Sequence, residues 1–400
     1  MKKFLGIYVN VFFLGLVSLF NDFSAEMIFS VMPAFLISLG ATPIFIGFLE
    51  GFADAVASFL KIYSGWLSDK LKKRKIISIL GYSLSVSTRW VLYFVGNIWS
   101  IFFLRAIDRV GKGFRESPRD ALLAESVPKS DRGKSFGFQR AMDAFGGILG
   151  PAIAVLILPF LGGNYRNLFL IAFVVGIFAL LSFLPVKEVA IKEINLKNKD
   201  YKKFTFRTDG FTTEFRQYIF SIFIFGLGFM PVSLLLIRVL DLGLDIKLMP
   251  LVYLIYSSAF AIFAIPFGRL SDEFGEKIVI IGGFASAIIG LLIIRDASSL
   301  YTLIAGFIFL GIYSAMTNGV SRSLASKLVS EDSQASGQGF LGASSGLSSL
   351  FAGLIGGYIW TKVGSYSALN YSIILMILGI WILANLRIGT ESKPMQVNGN

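Results

Sequence analysis

The sequence predicts an all-α membrane protein with twelve transmembrane helices in two pseudo-symmetric six-helix bundles. Of the 400 residues, 55% are hydrophobic and only 16% are charged, whereas a soluble chain carries about 25% charged residues. Apolar stretches recur along the chain, and each reaches the ~20 residues that a helix needs to cross the hydrocarbon core. A loop that runs from glycine to basic residues occurs once in each half, which indicates an internal repeat.

The apolar stretches occupy almost the whole chain. They lie at residues 4–38, 43–66, 76–96, 98–122, 136–162, 165–186, 216–240, 247–268, 277–295, 299–326, 335–361 and 365–387. A polar stretch rich in Lys, Asn, Glu and Thr separates the sixth from the seventh. We therefore predict an amino-terminal bundle at 1–186, a cytoplasmic linker at 187–215, and a carboxy-terminal bundle with a short cytoplasmic tail at 216–400.

The repeated loop joins span two to span three, and span eight to span nine. The first copy places Gly65, Asp69 and Arg74 in order, and the second repeats Gly268 and Asp272. Glycine lets helices approach closely at a membrane boundary, and the aspartate can cap a helix amino terminus or pair with a cation. Because Arg74 can pair with acids at the inner end of span four, we predict a cytoplasmic latch that holds the outward-open state. Its residues are Gly65, Asp69, Arg74, Asp120, Glu125, Gly268 and Asp272.

The distribution of Lys and Arg among the loops predicts the orientation. Basic residues concentrate at 70–75, 129–134 and 187–216, whereas the loops at 40–43 and 96–97 carry none. Since positive loops face the cytoplasm, we expect a multi-pass protein of the plasma membrane with both termini cytoplasmic. The formal charge of +12 then reflects loops beside anionic lipid heads, so we do not expect nucleic-acid binding.

Several charges fall inside the predicted spans. Asp22 and Glu26 are four residues apart, so they share one helical face, and span four carries a charged ladder that includes Arg105 and Asp108. A charge at this depth costs ~3 kcal/mol or more unless it faces a partner or water. The chain contains neither histidine nor cysteine, so a proton relay must use carboxylates. We predict that the proton-coupling residues are Asp22, Glu26, Asp54 and Asp108.

The second half has almost no deep charge and offers aromatic and weakly polar side chains instead. We place the substrate site in a midplane cavity between the halves, which rocking can expose to either side. Arg105 is its expected anchor, and we expect its partner to be Asp22, Glu26 or a substrate anion. The predicted substrate-binding residues are Arg105, Arg109, Tyr253, Tyr256 and Asn318.

Over essentially its whole length, the chain resembles the major facilitator superfamily. The first loop is similar to the family signature Gly-x-x-x-Asp-x-x-Gly-Arg-Lys/Arg at Gly65, Asp69, Lys73 and Arg74, and Lys72 stands where glycine is usual. The resemblance implies the major facilitator fold, transport by alternating access, and a central cavity lined by spans one, four and five.

Two further elements resemble antiporters of that superfamily. Gly146, Gly150 and Pro151 are similar to the Gly-x-x-x-Gly-Pro element of span five in drug and metabolite antiporters. The stretch 105–111 resembles the Arg-x-x-Gln-Gly-x-Gly element of proton-driven exporters, although an Asp-Arg pair replaces Gln-Gly. The resemblance implies a member of the drug and metabolite proton antiporter branch.

Three classes of function are consistent with these patterns. The first is a secondary transporter that exports a small amphipathic metabolite or drug-like compound in exchange for protons, and Na⁺ would use the same carboxylates. The second is an importer or exchanger of organic anions, in which Arg105, Arg109 or Lys112 binds a carboxylate or phosphate. A receptor, an enzyme or an ATP-driven pump is disfavoured, because the sequence contains no Walker loop, metal cluster or nucleophile–base set. We expect a monomer without cofactor or metal.

Overall fold

The structure is a computed structural model, and it describes residues 3–4, 6–71, 73–188, 211–330 and 334–386. A short antiparallel pair of strands, β1 (Lys3–Phe4) and β2 (Ile7–Tyr8), precedes the first helix. The described part of the chain is otherwise almost entirely helical, as the sequence predicts.

Six helices form the first half. They are α1 (Val9–Ser38), α2 (Pro43–Leu71), α3 (Arg74–Leu92), α4 (Ile98–Glu125), α5 (Arg132–Ile157) and α6 (Tyr165–Leu181). The second half contains α7 (Thr213–Gly228), α8 (Val232–Leu235), α9 (Arg238–Asp241), α10 (Met249–Phe274), α11 (Glu276–Arg295), α12 (Leu300–Thr317), α13 (Val320–Lys327), α14 (Gln334–Lys362) and α15 (Ser365–Asn385).

Two of the predicted spans are interrupted. The seventh consists of α7, α8 and α9, because Pro231 cannot donate a backbone hydrogen bond and stands where α8 begins. The tenth consists of α12 and α13, which are separated at Asn318 and Gly319. Counted in this way, the helices fit the twelve predicted spans. Residues 189–210, in the predicted linker, lie outside the described part of the chain.

Most of the helices are as long and as apolar as transmembrane helices. In the part of the chain that the structure describes, nine helical segments are long and apolar enough to cross a bilayer, and α6 is a shorter apolar helix. α4 is not among them because of its charged ladder. Its arginines Arg105, Arg115 and Arg119 are buried against other helices instead of facing lipid. The all-α membrane fold is confirmed.

The two ends of the bundle differ in charge. The α2–α3 and α4–α5 connections lie at one end, which we call the basic face because it carries Lys73, Lys75 and Arg132. The other end, which we call the opposite face, carries the α1–α2, α3–α4 and α5–α6 connections.

A glycine-lined seam joins the halves toward the opposite face. There α2 packs along α14, and the backbone nitrogen of Ile44 donates a hydrogen bond to Thr361 Oγ1 at 3.1 Å. Gly47 and Gly353 face each other so closely that a Cβ on either would collide with the backbone of the other. Small residues permit such contact between membrane helices. The seam therefore holds the opposite face closed.

We predict that Gly353→Ala destabilises this closed seam. The added methyl group meets the Gly47 backbone, and overpacking of this kind costs ~1–3 kcal/mol. The chain contains no cysteine, so spin labels can be attached to cysteines introduced at Thr42 and Val363 alone. Pulsed electron paramagnetic resonance should then show a longer distance between the two labels.

The matched control is Gly342→Ala on the same helix, where an added Cβ meets nothing within 4 Å. It should leave the label distance and the thermal stability as in the wild type. Identical distance distributions for the two variants would contradict a sealing role for the α2–α14 seam.

Candidate functional site

A cavity of about 1900 Å³ lies between the halves. It runs from Phe29 and Glu50, deep in α1 and α2, to Gly65 and Asp272 near the basic-face ends of α2 and α10. The closed α2–α14 seam lies beyond its inner end. The cavity is therefore accessible from the basic face, and the protein adopts the conformation that is open on that side.

The two carboxylates of α1 line this cavity on one helical face. Glu26 Oε2 accepts a hydrogen bond from the Tyr253 hydroxyl at 2.6 Å, so this bond joins α1 of the first half to α10 of the second. Asp22 Oδ1 accepts one from Asn21 Nδ2 at 2.8 Å, and Arg89 Nη2 donates to Asn21 Oδ1 at 2.8 Å. Among the described residues, no Lys or Arg nitrogen lies within 4.0 Å of either carboxylate.

The glycines of α5 pack directly behind these carboxylates. A Cβ on Gly146 would lie 3.2 Å from the Cβ of Asp22, and one on Gly150 would lie 3.0 Å from the backbone carbon of Glu26. Pro151, the next residue, is buried inside α5. The span-five element that resembles antiporters thus determines how closely α5 approaches the charged segment of α1.

Arg105 has a different partner from the one expected. Its Nε and Nη2 donate to Glu50 Oε1 and Oε2 at 3.1 and 3.0 Å, and Asp108 Oδ2 lies 3.6 Å from its Nη1. The expectation that Asp22 or Glu26 pairs with Arg105 is wrong, because α2 packs on α4 and brings Glu50 to the guanidinium first. Sequence reasoning left Glu50 out of the site. The available signal was its four-residue spacing from Asp54.

The remaining α2 and α4 charges extend this cluster. Arg109 Nη2 lies 3.8 Å from Glu50 Oε2, so Glu50 faces two arginines. Asp54 accepts a hydrogen bond from Ser349 Oγ of α14 at 3.3 Å, across the seam between the halves. All of these side chains except Asp54 are mostly buried, and the arginines reach the cavity already neutralised by carboxylates.

The second half contributes an aromatic wall. The Tyr253 ring lies 5.0 Å from the Phe29 ring, and the Tyr256 hydroxyl is hydrogen-bonded to Ser314 Oγ at 2.8 Å. Asn318 also lines the cavity, but it is exposed at the break between α12 and α13. Tyr253 and Tyr256 therefore face the carboxylates of α1, while Asn318 lies farther toward the basic face.

Part of the predicted latch lies within the first half. Arg74 Nη2 pairs with Glu125 Oε1 at 2.7 Å, which ties the start of α3 to the end of α4. Asp120 does not pair with Arg74 in the described structure. Its Oδ1 lies 2.8 Å from Arg119 Nη2, because the two are consecutive residues on α4.

The other latch positions lie at the basic-face mouth of the cavity. Gly65, Gly268 and Asp272 line it, and a Cβ on Gly65 would lie 3.4 Å from Ser117. The side chain of Asp69 lies outside the described part of the structure. The two copies of the loop thus face one cavity mouth from opposite halves.

Comparison with known proteins agrees with this architecture. A family model described as Major Facilitator Superfamily matches residues 14–253 and 218–399. An MFS-type transporter of Methanocaldococcus jannaschii is 33% identical over 382 residues, which is 94% of each chain. The quinolone resistance protein NorA of Staphylococcus aureus is 30% identical over 155 residues, which is 38% of this chain and 37% of NorA.

A solved structure with the same fold is the peptide transporter POT in complex with sulfate. The TM-score is 0.78, and the superposition covers 96% of this chain and 95% of the transporter at 15% identity. Identity at this level supports the fold alone. The chain is therefore a multi-pass membrane protein that transports a small molecule, and it is not an enzyme. The family match over nearly the whole chain, with the shared fold, shows that it belongs to the Major Facilitator Superfamily.

Proposed function

We propose that the protein works by alternating access and exports a small amphipathic, drug-like compound in exchange for protons. One observation carries the proposal. The arginines at the centre of the cavity, Arg105 and Arg109, already face Glu50, whereas Asp22 and Glu26 face the cavity without a cation partner in the described structure. A cavity with uncompensated carboxylates suits protons and positively charged or dipolar compounds.

The orientation that the loops predict is consistent with export. We place the basic face in the cytoplasm and the protein in the plasma membrane, by the rule that positive loops stay inside. The cavity then opens to the cytoplasm, which is the conformation in which an exporter takes up its substrate. The partial similarity to NorA, a protein named for quinolone resistance, agrees with this direction.

The hydrogen bond between Glu26 and Tyr253 provides a coupling device. It joins α1 to α10 while the opposite face is closed, and hydrogen bonds to ionised acceptors are stronger than neutral ones. A substrate that takes over Glu26 releases Tyr253 and allows the halves to separate at the opposite face. A proton that binds Glu26 from that side displaces the substrate, and its release to the cytoplasm restores the bond.

Aromatic rings supply affinity for an amphipathic compound. Phe29 and Tyr253 form a pair at 5.0 Å beside Glu26, and Phe229 and Tyr313 form another at 4.6 Å. Rings beside a carboxylate bind a cation by its charge and by contact with the ring faces. The same rings can cover the apolar part of a bound compound, which needs no hydrogen bonds of its own.

Import or exchange of organic anions is the second candidate. Arg109 Nε is buried and has no hydrogen-bond partner among the described residues, and the side chain lines the cavity. A carboxylate or phosphate could use that donor. A thermal-shift panel of amphipathic cations and organic anions on the purified protein separates the two functions, because only the compounds of the transported class should stabilise it.

We predict that Glu26→Gln or Asp22→Asn abolishes transport driven by a pH gradient. Each change removes a titratable group that faces the cavity. In proteoliposomes that carry ethidium, an amphipathic cation, the gradient-driven rate should fall by about tenfold or more, which corresponds to ~1.4 kcal/mol. A wild-type response to the gradient in both single variants would refute the assignment.

The control for this experiment is Asp296→Asn. Asp296 follows α11 in a connection at the opposite face, and hydrogen bonds from Arg295 lower its pKa. It is remote from the cavity, so its variant should transport ethidium at the wild-type rate and respond to the gradient as the wild type does.

We predict that Tyr253→Phe shifts the protein away from the conformation open to the basic face. The variant loses only the hydroxyl that binds Glu26, and a hydrogen bond to a charged group contributes ~1.5–3 kcal/mol. Spin labels at the opposite-face ends of the halves should report a larger open fraction. Tyr256→Phe is the matched control, since its hydroxyl bonds only Ser314 of the same half in the described structure.

We predict that Glu50→Gln destabilises the protein strongly. It leaves Arg105 buried without its bidentate partner, and breaking a buried pair costs ~3–5 kcal/mol. The double variant Glu50→Gln with Arg105→Gln should lose less than the sum of the single variants in thermal unfolding. Additive losses would show that the pair does not act as a unit.

A further inference from the structure

A further carboxylate, the partly buried Asp143 of α5, lies on the basic-face side of the α1 pair. Asp143 on α5 precedes Gly146, the glycine that packs against Asp22, by three residues. It lines the same cavity. Coupling through Glu26 and Asp22 gives this group no role, although it stands between Asp22 and the cavity mouth.

Asp143 is part of a polar cluster between α1, α4 and α5. Gln139 Nε2 donates to Asp143 Oδ2 at 2.6 Å and to Ser18 Oγ at 2.9 Å. Arg119 Nη1 donates to the same Ser18 oxygen at 3.2 Å. Gln139 and Ser18 are completely buried. The Gln139 amide nitrogen is therefore shielded from bulk solvent, and it donates to Ser18 and Asp143.

The ionised form of Asp143 is incompletely compensated. Its Oδ1 is buried and receives no hydrogen bond from the described residues, and neither does the buried Gln139 Oε1. Arg119 and Arg140 approach Asp143 to 3.8 and 3.7 Å, which exceeds hydrogen-bond distance, and the Arg140 side chain is 58% exposed. A buried acceptor without a donor costs ~1–3 kcal/mol, and more when it is charged.

The cluster can also form hydrogen bonds with a protonated Asp143. In a side-chain amide the nitrogen donates hydrogen bonds and the oxygen accepts them. If the Gln139 amide turns over, its oxygen can accept from the Asp143 O–H and from the Ser18 hydroxyl, while Ser18 still accepts from Arg119. The charged and titratable groups that face Asp143 are Arg119 on α4, Arg140 on α5, Asp22 on α1 and Tyr82 on α3.

We propose that Asp143, held by Gln139, which Ser18 positions in turn, is a second proton-binding site that exchanges protons through the cavity in the conformation open to the basic face. The site rests on the proposed proton coupling, which it extends from Glu26 and Asp22 toward the basic face. A proton from water in the cavity binds the carboxylate, Gln139 turns its oxygen toward the new O–H, and the reverse steps release the proton.

Infrared difference spectroscopy of the purified protein, titrated around neutral pH without substrate, tests the site. The carbonyl stretch of protonated carboxylic acids should appear in several titrating components, and Asp143→Asn should remove one of them. Glu116→Gln is the control from the same cavity wall. Glu116 pairs with Lys61 at 2.5 Å and with Lys112 at 3.9 Å, so its charge is compensated by two cations. Its variant should keep every component.

A second variant, Gln139→Leu, keeps Asp143 and removes its partner. It should move the midpoint of the same component by about one pH unit to higher pH, because the charge-assisted bond to the ionised form is the stronger one. A purely structural role for Gln139 would leave the midpoint in place. If Asp143→Asn fails to fold, this shift alone decides.

The inference is overturned if the Asp143→Asn spectrum superimposes on that of the wild type, or if the Gln139→Leu midpoint does not move. The titration needs no transported compound. A wild-type protein that fails to move ethidium would therefore count against the proposed function and leave this test intact.

Discussion

The cost of placing charge in a low-dielectric membrane governs the organisation of this protein. α4 carries more charge than a lipid-facing helix can hold, so its charges are paired. Arg105 pairs with Glu50 and Glu116 with Lys61, both from α2, while Lys112 pairs with Glu116 and Arg119 with Asp120 within α4 itself. Burial of the ladder against the other helices of the first half follows from this requirement. The carboxylates left without a cation are then confined to the wall of the cavity, where water or a ligand can reach them.

Close approach of helices is the second constraint, and glycine meets it in two places. Along α2 and α14, Gly47 and Gly353 bring the two backbones into contact and close the opposite face. Along α1 and α5, Gly146 and Gly150 bring α5 onto the segment that carries Asp22 and Glu26. The first seam joins the two halves, so it is the one that opens in the alternating-access cycle that we propose. The second lies within one half and keeps its geometry as the halves rock.

The two halves make unequal chemical contributions. The first supplies the charges and the second supplies rings and hydroxyls, and polar contacts such as Glu26–Tyr253 and Asp54–Ser349 connect them. Each such contact is a single hydrogen bond, so the free energy gained by binding a proton or a substrate can exceed the free energy of that bond. An interface held by many ion pairs would resist the rocking motion, whereas one held by packing and a few hydrogen bonds can alternate.

Local patterns in the sequence were enough to predict the membrane fold, the succession of spans, the repeated loop and the shared face of Asp22 and Glu26, because each depends on residues close together in the chain. The same patterns identified the α5 glycines but not what they contact. Tertiary packing alone decided that Arg105 pairs with Glu50, 55 positions away, and that Glu26 meets Tyr253, 227 positions away. It also decided which face is open. Such partners depend on which helices pack together. The energies of alternative pairings of buried charges differ with distances of a few ångströms, and no spacing in the sequence encodes those distances.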